Sequence, residues 1–165
     1  MKFKYKKECF QISIMVILYV LLGNARSIQP NPFIEGANIA VNMMVPVLAG
    51  ILFGRGQGLL VGFFGTLLNA LSPAGNMFEI LAIIPHSIMG FSAGYFKEKF
   101  PTPILACSLI IGHILNLSLF TIFQLLPLAT FLSFQFWLGI GYEILTGVIA
   151  IMIIKAIYNL ATEKE

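Results

Sequence analysis

Long apolar stretches alternate with short breaks along almost the whole chain. Six such stretches are long enough, or nearly so, to cross a hydrocarbon core about 30 Å thick as helices. The breaks between them carry glycine, proline, asparagine and serine, which are turn residues, rather than long charged linkers. The predicted spans are residues 9–25, 37–53, 57–71, 77–96, 102–122 and 134–157.

A glycine ladder marks the junction of the second and third spans, in the stretch GILFGRGQGLLVG that begins at Gly50. Glycine recurs there at every fourth position, a spacing that lets helix backbones approach closely within a membrane. The stretch is not a nucleotide-binding loop, because Leu59 stands where the dinucleotide fingerprint needs its third glycine and no Gly-Lys-Ser/Thr occurs. We therefore expect a tight helical hairpin. Its predicted polar tip is Arg55 and Gln57, and its predicted turn residues are Gly54 and Gly56.

The composition is that of an integral membrane protein. Of the 165 residues, 58% are hydrophobic and only 10% are charged, whereas a soluble domain carries about 25% charged residues. The length suits a single domain over residues 1–165, with no room for a separate soluble domain. The basic residues flank the spans, so the high isoelectric point indicates a lipid bilayer as partner and not a nucleic acid.

The basic residues fall almost entirely on one side of the predicted membrane. If the amino terminus is cytoplasmic, the positive-inside rule is satisfied in every predicted inner loop and in both tails. We therefore predict an all-α integral membrane protein, a compact bundle of six transmembrane helices with both termini in the cytoplasm. The alternative for the first span is a cleaved signal peptide ending near GNA at 23–25. The inner basic residues are Lys2, Lys4, Lys6, Lys7, Arg55, Lys97, Lys99, Lys155 and Lys164, and Arg26 is the outer one.

Three ionisable residues inside the spans fall at one predicted depth. His86, His113 and Glu143 each lie about nine residues, or roughly 13 Å, from the outer surface at 1.5 Å per residue. Ionisable groups inside a membrane are costly and mark functional sites by default. A cavity in the outer half of the bundle that all three side chains line would explain their common depth.

Helical spacing adds further polar residues to the same predicted cavity. Asn116 follows His113 on one face of the fifth span, and Glu79 shares a face with His86 on the fourth. On the sixth span the predicted polar stripe is Gln135, Gly139, Tyr142 and Thr146, with Glu143 at its edge. The predicted substrate-binding residues are Glu143, His113, His86, Glu79, Asn116, Trp137, Tyr142, Gln135, Asn42 and Asn69.

Each of these residues also has a purely structural interpretation. Asn42 and Asn69 can bridge helices, Glu79 can be a solvated helix start, and Trp137 can anchor the chain at the membrane interface. Glu143 is the hardest to explain structurally, because a lone carboxylate near the midplane needs a partner, and the two histidines are the expected ones. HExxH is absent and no paired glutamates occur, so we predict no catalytic residue, no metal site and no cofactor.

Together these features resemble the substrate-binding membrane subunits, or S components, of energy-coupling factor transporters. The resemblance covers nearly the whole chain: six short helices, cytoplasmic termini, the glycine-rich hairpin NMMVPVLAGILFGRGQGLLVGFFGTLLNALSPAG, and NPFIEGANIA before the second span. The family carries two alanines four apart on its first helix, and CFQISIMVILYVLLGNA lacks them. The glycine ladder is therefore either an alternative docking face or a device for packing within the protein.

The resemblance implies a protein that captures a small vitamin-like nutrient in an outward-facing cavity and is not an enzyme. It also implies separate partner chains, namely a coupling membrane subunit and ATPase subunits. The glutamates, histidines, tryptophan and tyrosine are similar to the residues of thiamine-binding members, in which aromatic rings and a carboxylate suit a cationic heterocycle.

Three other functions remain as alternatives. A membrane sensor or signalling module usually continues into a cytoplasmic effector domain, so the end of this chain at NLATEKE argues against it. A structural membrane protein would tolerate alanine at Glu143, His86 and His113. An intramembrane enzyme would need a catalytic constellation that the spacing of these residues does not supply.

Overall fold

The computed structural model describes residues 2–25, 30–73 and 75–162. Regular structure within these ranges is helical, apart from an isolated antiparallel bridge between Pro30 and Asn38. Arg26 and Lys164, on which the predicted charge layout partly depends, lie outside the described residues. The described part of the chain is thus all-α, as the hydrophobic pattern predicts.

The helices follow one another with short connections, and a 3₁₀ turn over Val41–Met43 precedes the second helix. The α-helices are α1 (Lys2–Asn24), α2 (Met44–Phe53), α3 (Arg55–Ala70), α4 (Met77–Phe96), α5 (Thr102–Ala106), α6 (Ser108–Ile122), α7 (Leu128–Phe131) and α8 (Phe134–Thr162).

Several helical segments are long and apolar enough to cross a membrane. In the described ranges there are four of them, and they cover Tyr5–Asn24, Met77–Phe96, Thr102–Ile122 and Phe134–Thr162. The segment Val41–Phe53 is apolar but shorter, and α3 has 16 residues. The chain is therefore a multi-pass membrane protein, while the count of six crossings stays a prediction.

The observed helices extend beyond the predicted first and last spans, since α1 begins at Lys2 and α8 ends at Thr162, and the predicted second span is helical only in part. Residues 37–40 are not helical, and the backbone N–H of Ala40 bonds to the side chain of Glu143 instead of to a helical carbonyl. Apolar residues mark this stretch as membrane-embedded, but hydrophobicity does not distinguish a helix from irregular chain that lines a cavity. The fifth predicted span is also divided, because α5 ends at Ala106 and α6 begins at Ser108.

The hairpin between α2 and α3 turns at a single residue. Gly54 adopts φ +114°, in the region that favours glycine, and separates the two helices. Arg55, Gly56 and Gln57 already belong to α3. The prediction of a tight hairpin with Arg55 and Gln57 near its tip is therefore correct, but the predicted turn role of Gly56 is wrong, since Gly54 alone makes the turn.

The glycine ladder packs α2 and α3 against α4 inside the protein. A Cβ atom on Gly58 would meet the backbone carbonyl of Gly90, and one on Gly62 would meet the carbonyl of His86. The reverse also holds, since a Cβ on Gly94 would meet the backbone of Arg55. Of the two interpretations of the ladder, internal packing is the one the contacts support.

Burial is uneven across the bundle. Eight of the ten residues of α2 are buried, and the hydrophobic core joins α2 to α1 through the fully buried Tyr19. In α8, by contrast, the buried residues are Phe136, Gly139 and Ile151. The core therefore lies on the side of α1 to α4, and α8 forms a thinner wall.

Candidate functional site

A cavity of about 420 Å³ lies between the first turns of α4, the second half of α6, the first half of α8 and the chain before α2. Its wall combines aromatic and aliphatic side chains with carboxylates, imidazoles and amides. This volume and mixture are typical of a small-molecule site, since such pockets are mostly apolar with a few placed polar groups.

Six of the ten predicted binding residues lie on the wall of this cavity. His86 and Glu79 come from α4, and His113 and Asn116 come from α6. The three ionisable residues therefore line one cavity, while their equal depth in the membrane stays a prediction. The six wall residues are Glu143, His113, His86, Glu79, Asn116 and Asn42.

The chain before α2 is tied to α8 at two points along the cavity. The Asn31 side chain donates from Nδ2 to the carbonyl of Gly139 at 3.2 Å, and its Oδ1 accepts from the backbone N–H of Phe33 and of Ile34. Gly139 has no side chain, and a Cβ there would collide with Ile34. The glycine thus lets the loop lie directly against α8.

Glu143 makes the second tie. Its Oε1 accepts a hydrogen bond of 2.6 Å from the backbone N–H of Ala40. The expectation that a histidine would be its partner was wrong, because the irregular chain at 37–40 leaves a backbone donor for it to satisfy. The carboxylate therefore fixes the loop while it also lines the cavity.

His86 is held by a buried network that joins four helices. Its Nδ1 lies 2.6 Å from the hydroxyl of Tyr19 on α1 and 3.0 Å from that of Thr66 on α3. Its Nε2 lies 3.2 Å from Nδ2 of Asn116 on α6. Gly65 makes room for this arrangement, because a Cβ there would meet the Tyr19 ring. His86 is therefore both a cavity residue and a link between helices.

A second cavity of about 290 Å³ adjoins the first between α2, α6 and α8. His113 and Glu143 line both cavities, as do Ala40 and Met43. Gly147 and Thr146 of α8 form part of its wall. The two cavities therefore share part of their wall at His113 and Glu143.

Asn69 lies at a helix interface and not at the cavity. It is fully buried on α3, its Oδ1 accepts from Nδ2 of Asn24 at 3.3 Å, and a Cβ on Gly23 would collide with its side chain. This position agrees with the structural interpretation of Asn69, an asparagine that bridges two helices.

Three predicted residues of α8 also point away from the cavity. Trp137 is 45% exposed and donates from Nε1 to the carbonyl of Phe131 at 2.9 Å. Tyr142 is 38% exposed and packs edge-on against Phe33. Gln135 is exposed as well. None of the three belongs to the cavity wall.

The reason is the rotation of α8. The cavity face consists of Phe136, Ile140 and Glu143, whereas the predicted stripe ran through Gln135, Gly139 and Tyr142. The predicted stripe was chosen because its residues are polar. The wall of this cavity is largely apolar, so that choice gave the neighbouring face of α8. Helical spacing from Glu143 alone would have found Phe136 and Ile140, which precede it by seven and three residues.

Several other wall residues were not predicted. Asn31 is a residue type that favours turns, because its side chain can accept hydrogen bonds from backbone N–H groups further along the chain. In the structure it accepts from those two and three residues on. The aromatic residue Phe78 had none, because phenylalanine occurs on lipid-facing surfaces as well. The further unpredicted wall residues include Ile34, Ala40, Leu126 and Thr130.

The acidic and basic side chains of the described residues are unequally distributed around the cavity. Glu79 and Glu143 line the cavity, and no lysine or arginine is among the wall residues in the part of the chain that the structure describes. The basic residues of α3 and α4 lie at the end of these helices opposite Glu79 and Asn76. They are Arg55, at the start of α3, and Lys97 and Lys99, just after α4. The cavity therefore suits a neutral or cationic ligand better than an anion.

Comparison with known proteins identifies one family. The family model described as ECF-type riboflavin transporter, S component, matches residues 4–163. No curated protein and no solved structure matches the chain.

Proposed function

The chain belongs to the family of ECF-type riboflavin transporter S components, and from that premise we propose that it captures riboflavin in the cavity between α4, α6 and α8. S components are the substrate-binding membrane subunits of energy-coupling factor importers and are not enzymes. They work with a coupling membrane subunit and ATPase subunits. This membership favours transport over the sensor, structural and enzymatic alternatives.

The cavity is the observation that carries the proposal. Riboflavin combines a flat three-ring system, which needs apolar and aromatic surfaces, with a chain of hydroxyl groups, which need hydrogen-bonding partners. Phe78, Phe120 and Phe136 offer the first kind of surface, and Glu143 and His113 offer the second. The volume of about 420 Å³ falls within the range of pockets that bury small ligands.

The charge of the wall supports selectivity for the vitamin over its phosphate ester. Two carboxylates and no basic side chain line the described cavity, and an unpaired phosphate placed beside them would be repelled and poorly solvated. We therefore infer that riboflavin binds more tightly than flavin mononucleotide.

The charge layout supports an outward-facing cavity. Arg55, Lys97 and Lys99 lie at the end of α3 and α4 remote from the cavity, and basic residues favour the cytoplasmic side. With that end inside, the cavity opens outward, both termini are cytoplasmic, and the chain is one domain with six crossings. Residues 9–25 form the first of these crossings.

Thiamine is the second candidate, because the two carboxylates also suit a cationic heterocycle. The family match favours riboflavin, since the matching model is described by that vitamin. Titration of the purified protein with riboflavin, flavin mononucleotide and thiamine separates these ligands, and riboflavin fluorescence gives a direct readout. We expect riboflavin to bind most tightly, and tighter binding of thiamine would contradict the proposal.

Two variants test the location of the site. Glu143→Ala removes a wall carboxylate, and we expect riboflavin affinity to fall by about tenfold or more, as for a lost hydrogen bond to a charged group. Gln135→Ala is the matched control, because Gln135 is an exposed polar residue of the same helix outside the wall. Equal effects of the two variants would argue against this cavity as the binding site.

A further inference from the structure

We propose that the end of α3 and α4 remote from the cavity binds an anionic phospholipid, with the headgroup on a basic cluster and the acyl chains along an aromatic strip. The basic cluster is Arg55, Lys97 and Lys99, and the aromatic strip is Phe91, Tyr95, Phe96 and Phe100. This surface is separate from the cavity, so its ligand does not depend on which nutrient the cavity takes.

Close packing of α3 on α4 brings two residues of the basic cluster together. A Cβ atom on Gly94 would meet the backbone of Arg55, so α3 begins directly against the last turn of α4. The Nζ atom of Lys97 lies 3.8 Å from the place that a Cβ atom on Gly54 would take. Lys97 thus reaches the turn that immediately precedes Arg55.

Tyr95 brings the third basic residue to the same place. The guanidinium carbon of Arg55 and the Nζ atom of Lys99 each lie 5.9 Å from the centroid of the Tyr95 ring. At this distance a cation is attracted to the face of an aromatic ring. Two positive charges beside one ring also repel each other, and a bound anion relieves that repulsion. The arrangement therefore favours a negatively charged partner.

Acidic side chains of the described residues do not neutralise the basic cluster. Lys97 lies 4.0 Å from Glu98, whose side chain is 85% exposed, and exposed pairs of this kind are weak. Arg55 and Lys99 have no salt bridge within the part of the chain that the structure describes. The cluster therefore keeps an excess of positive charge, which a phosphate group can neutralise through charge-assisted hydrogen bonds.

The aromatic strip continues from the basic cluster along the exposed face of α4. Phe91 and Tyr95 stack with 5.8 Å between ring centroids, and Phe96 contacts Tyr95 at 5.0 Å and Phe100 at 5.7 Å. All four rings are between 37% and 45% exposed. Phe91 lies about one helical turn before Tyr95, toward the middle of α4. The strip therefore runs from the cluster into the apolar part of the helix.

A cationic end joined to an exposed apolar strip matches an anionic phospholipid. The headgroup supplies the negative charge, and the acyl chains supply the apolar surface that the rings face. Basic residues next to a transmembrane helix attract anionic lipids, each by about fivefold in affinity. A free phosphate would contact only the cluster, and an acidic protein segment would leave the strip uncovered. The observations therefore favour the lipid.

Native mass spectrometry of the full chain in a neutral detergent measures the binding of single lipids. We expect phosphatidylglycerol to bind more tightly than phosphatidylcholine with the same acyl chains. The triple variant Arg55→Gln, Lys97→Gln, Lys99→Gln should lose about tenfold or more of its affinity for phosphatidylglycerol. Its riboflavin affinity should equal that of the wild type, because the cluster is remote from the cavity. A wild type that does not distinguish the two lipids would contradict the proposal.

A charge-matched control separates a lipid site from a general effect of positive charge. The variant Lys4→Gln, Lys6→Gln, Lys7→Gln removes the same charge from α1 and should bind phosphatidylglycerol almost as tightly as the wild type. Equal losses in the two triple variants would overturn the proposal. Inorganic phosphate should not displace the lipid, and full displacement by phosphate would mean an anion site in which the aromatic strip has no part.

Tyr95→Leu tests the link between the cluster and the strip. It keeps an apolar side chain but removes the ring that Arg55 and Lys99 contact, and we expect the affinity for phosphatidylglycerol to fall by about fivefold. Tyr142→Leu is the matched control, because Tyr142 is a similarly exposed tyrosine near the opposite end of the bundle. Equal affinities of these two variants would mean that Tyr95 does not organise the site.

Hydrogen exchange of the wild-type protein tests the location even if the triple variant fails to fold. Exchange at 54–57 and 97–100 should be slower in phosphatidylglycerol nanodiscs than in phosphatidylcholine nanodiscs. Protection confined to other segments would refute the assignment. If the triple variant keeps its affinity for phosphatidylglycerol but no longer copurifies with the coupling subunit, the cluster binds a protein and the lipid proposal is wrong.

Discussion

The two sides of this bundle are packed in different ways. Where α2 and α3 meet α4, the contact is backbone against backbone, because Gly58 and Gly90 have no side chains to separate the helices. Where α6 and α8 meet the chain before α2, two cavities of about 420 and 290 Å³ remain. One sequence thus produces a tightly packed side and a hollow side.

The difference follows from how helices associate in lipid. Apolar surface gains little by leaving lipid for protein, so close packing of small residues holds membrane helices together. The glycines supply that packing on the α2 to α4 side. The hollow side is held by polar ties instead, such as those from Asn31 to Gly139 and from Glu143 to Ala40. A tightly packed side thus lies next to a wall that leaves room for a ligand.

The largest expected effect is on the packed side. Gly58→Ala places a methyl group against the backbone carbonyl of Gly90, which cannot move aside as a side chain could, and we expect the free energy of unfolding to fall by about 3 kcal/mol. Gly56→Ala, two residues away on the same helix with open space around it, should be neutral or stabilising. Thermal unfolding in detergent measures both, and similar values for the pair would contradict the packing argument.

Ligand binding should act on the hollow side. At a riboflavin concentration about 100 times the dissociation constant, mass action raises the free energy of unfolding by about 2.7 kcal/mol. Hydrogen exchange should slow mainly in the chain at 30–40, in α6 and in the first half of α8. Protection concentrated in α2 and α3 would mean that the ligand binds elsewhere.

The tie from Glu143 to Ala40 can be tested without a ligand. Glu143→Ala leaves the Ala40 N–H without its acceptor, and we expect the free energy of unfolding to fall by about 1–2 kcal/mol. Glu143→Gln keeps an oxygen at the same place and should cost less than half as much. If the two variants are equally destabilised in the same unfolding assay, the hydrogen bond is not what holds the loop.

The smallest effect should come from Gly141, a glycine of α8 that does not contact the rest of the described chain. Gly141 of α8 has open space where a Cβ would be built, so Gly141→Ala should change the free energy of unfolding by no more than about 1 kcal/mol, in the stabilising direction given by helix propensity. Thermal unfolding compared directly with Gly58→Ala checks this. A loss as large as at Gly58 would remove the distinction between the two sides.

The sequence by itself determined that the chain is largely helical and membrane-embedded, although not that residues 37–40 are irregular. Apolar stretches of span length specify helices because the bilayer leaves the backbone no other way to satisfy its polar groups. The rise of 1.5 Å per residue also predicted a common depth for His86, His113 and Glu143, which share one cavity wall in the structure. The regular glycine spacing predicted a close helix approach at Gly50 to Gly62, which the contacts with α4 reproduce.

Only the tertiary structure decided which face of α8 meets the cavity, whereas helical spacing had already placed the cavity faces of α4 and α6. Polarity pointed to Gln135 and Tyr142 on α8, yet Phe136 and Ile140 line the wall beside Glu143. Asn69 was expected there too, and it instead packs between α1 and α3. The physical reason is that lipid outside the bundle and a largely apolar cavity inside it favour the same side chains, so the rotation of a helix is set by contacts between distant residues.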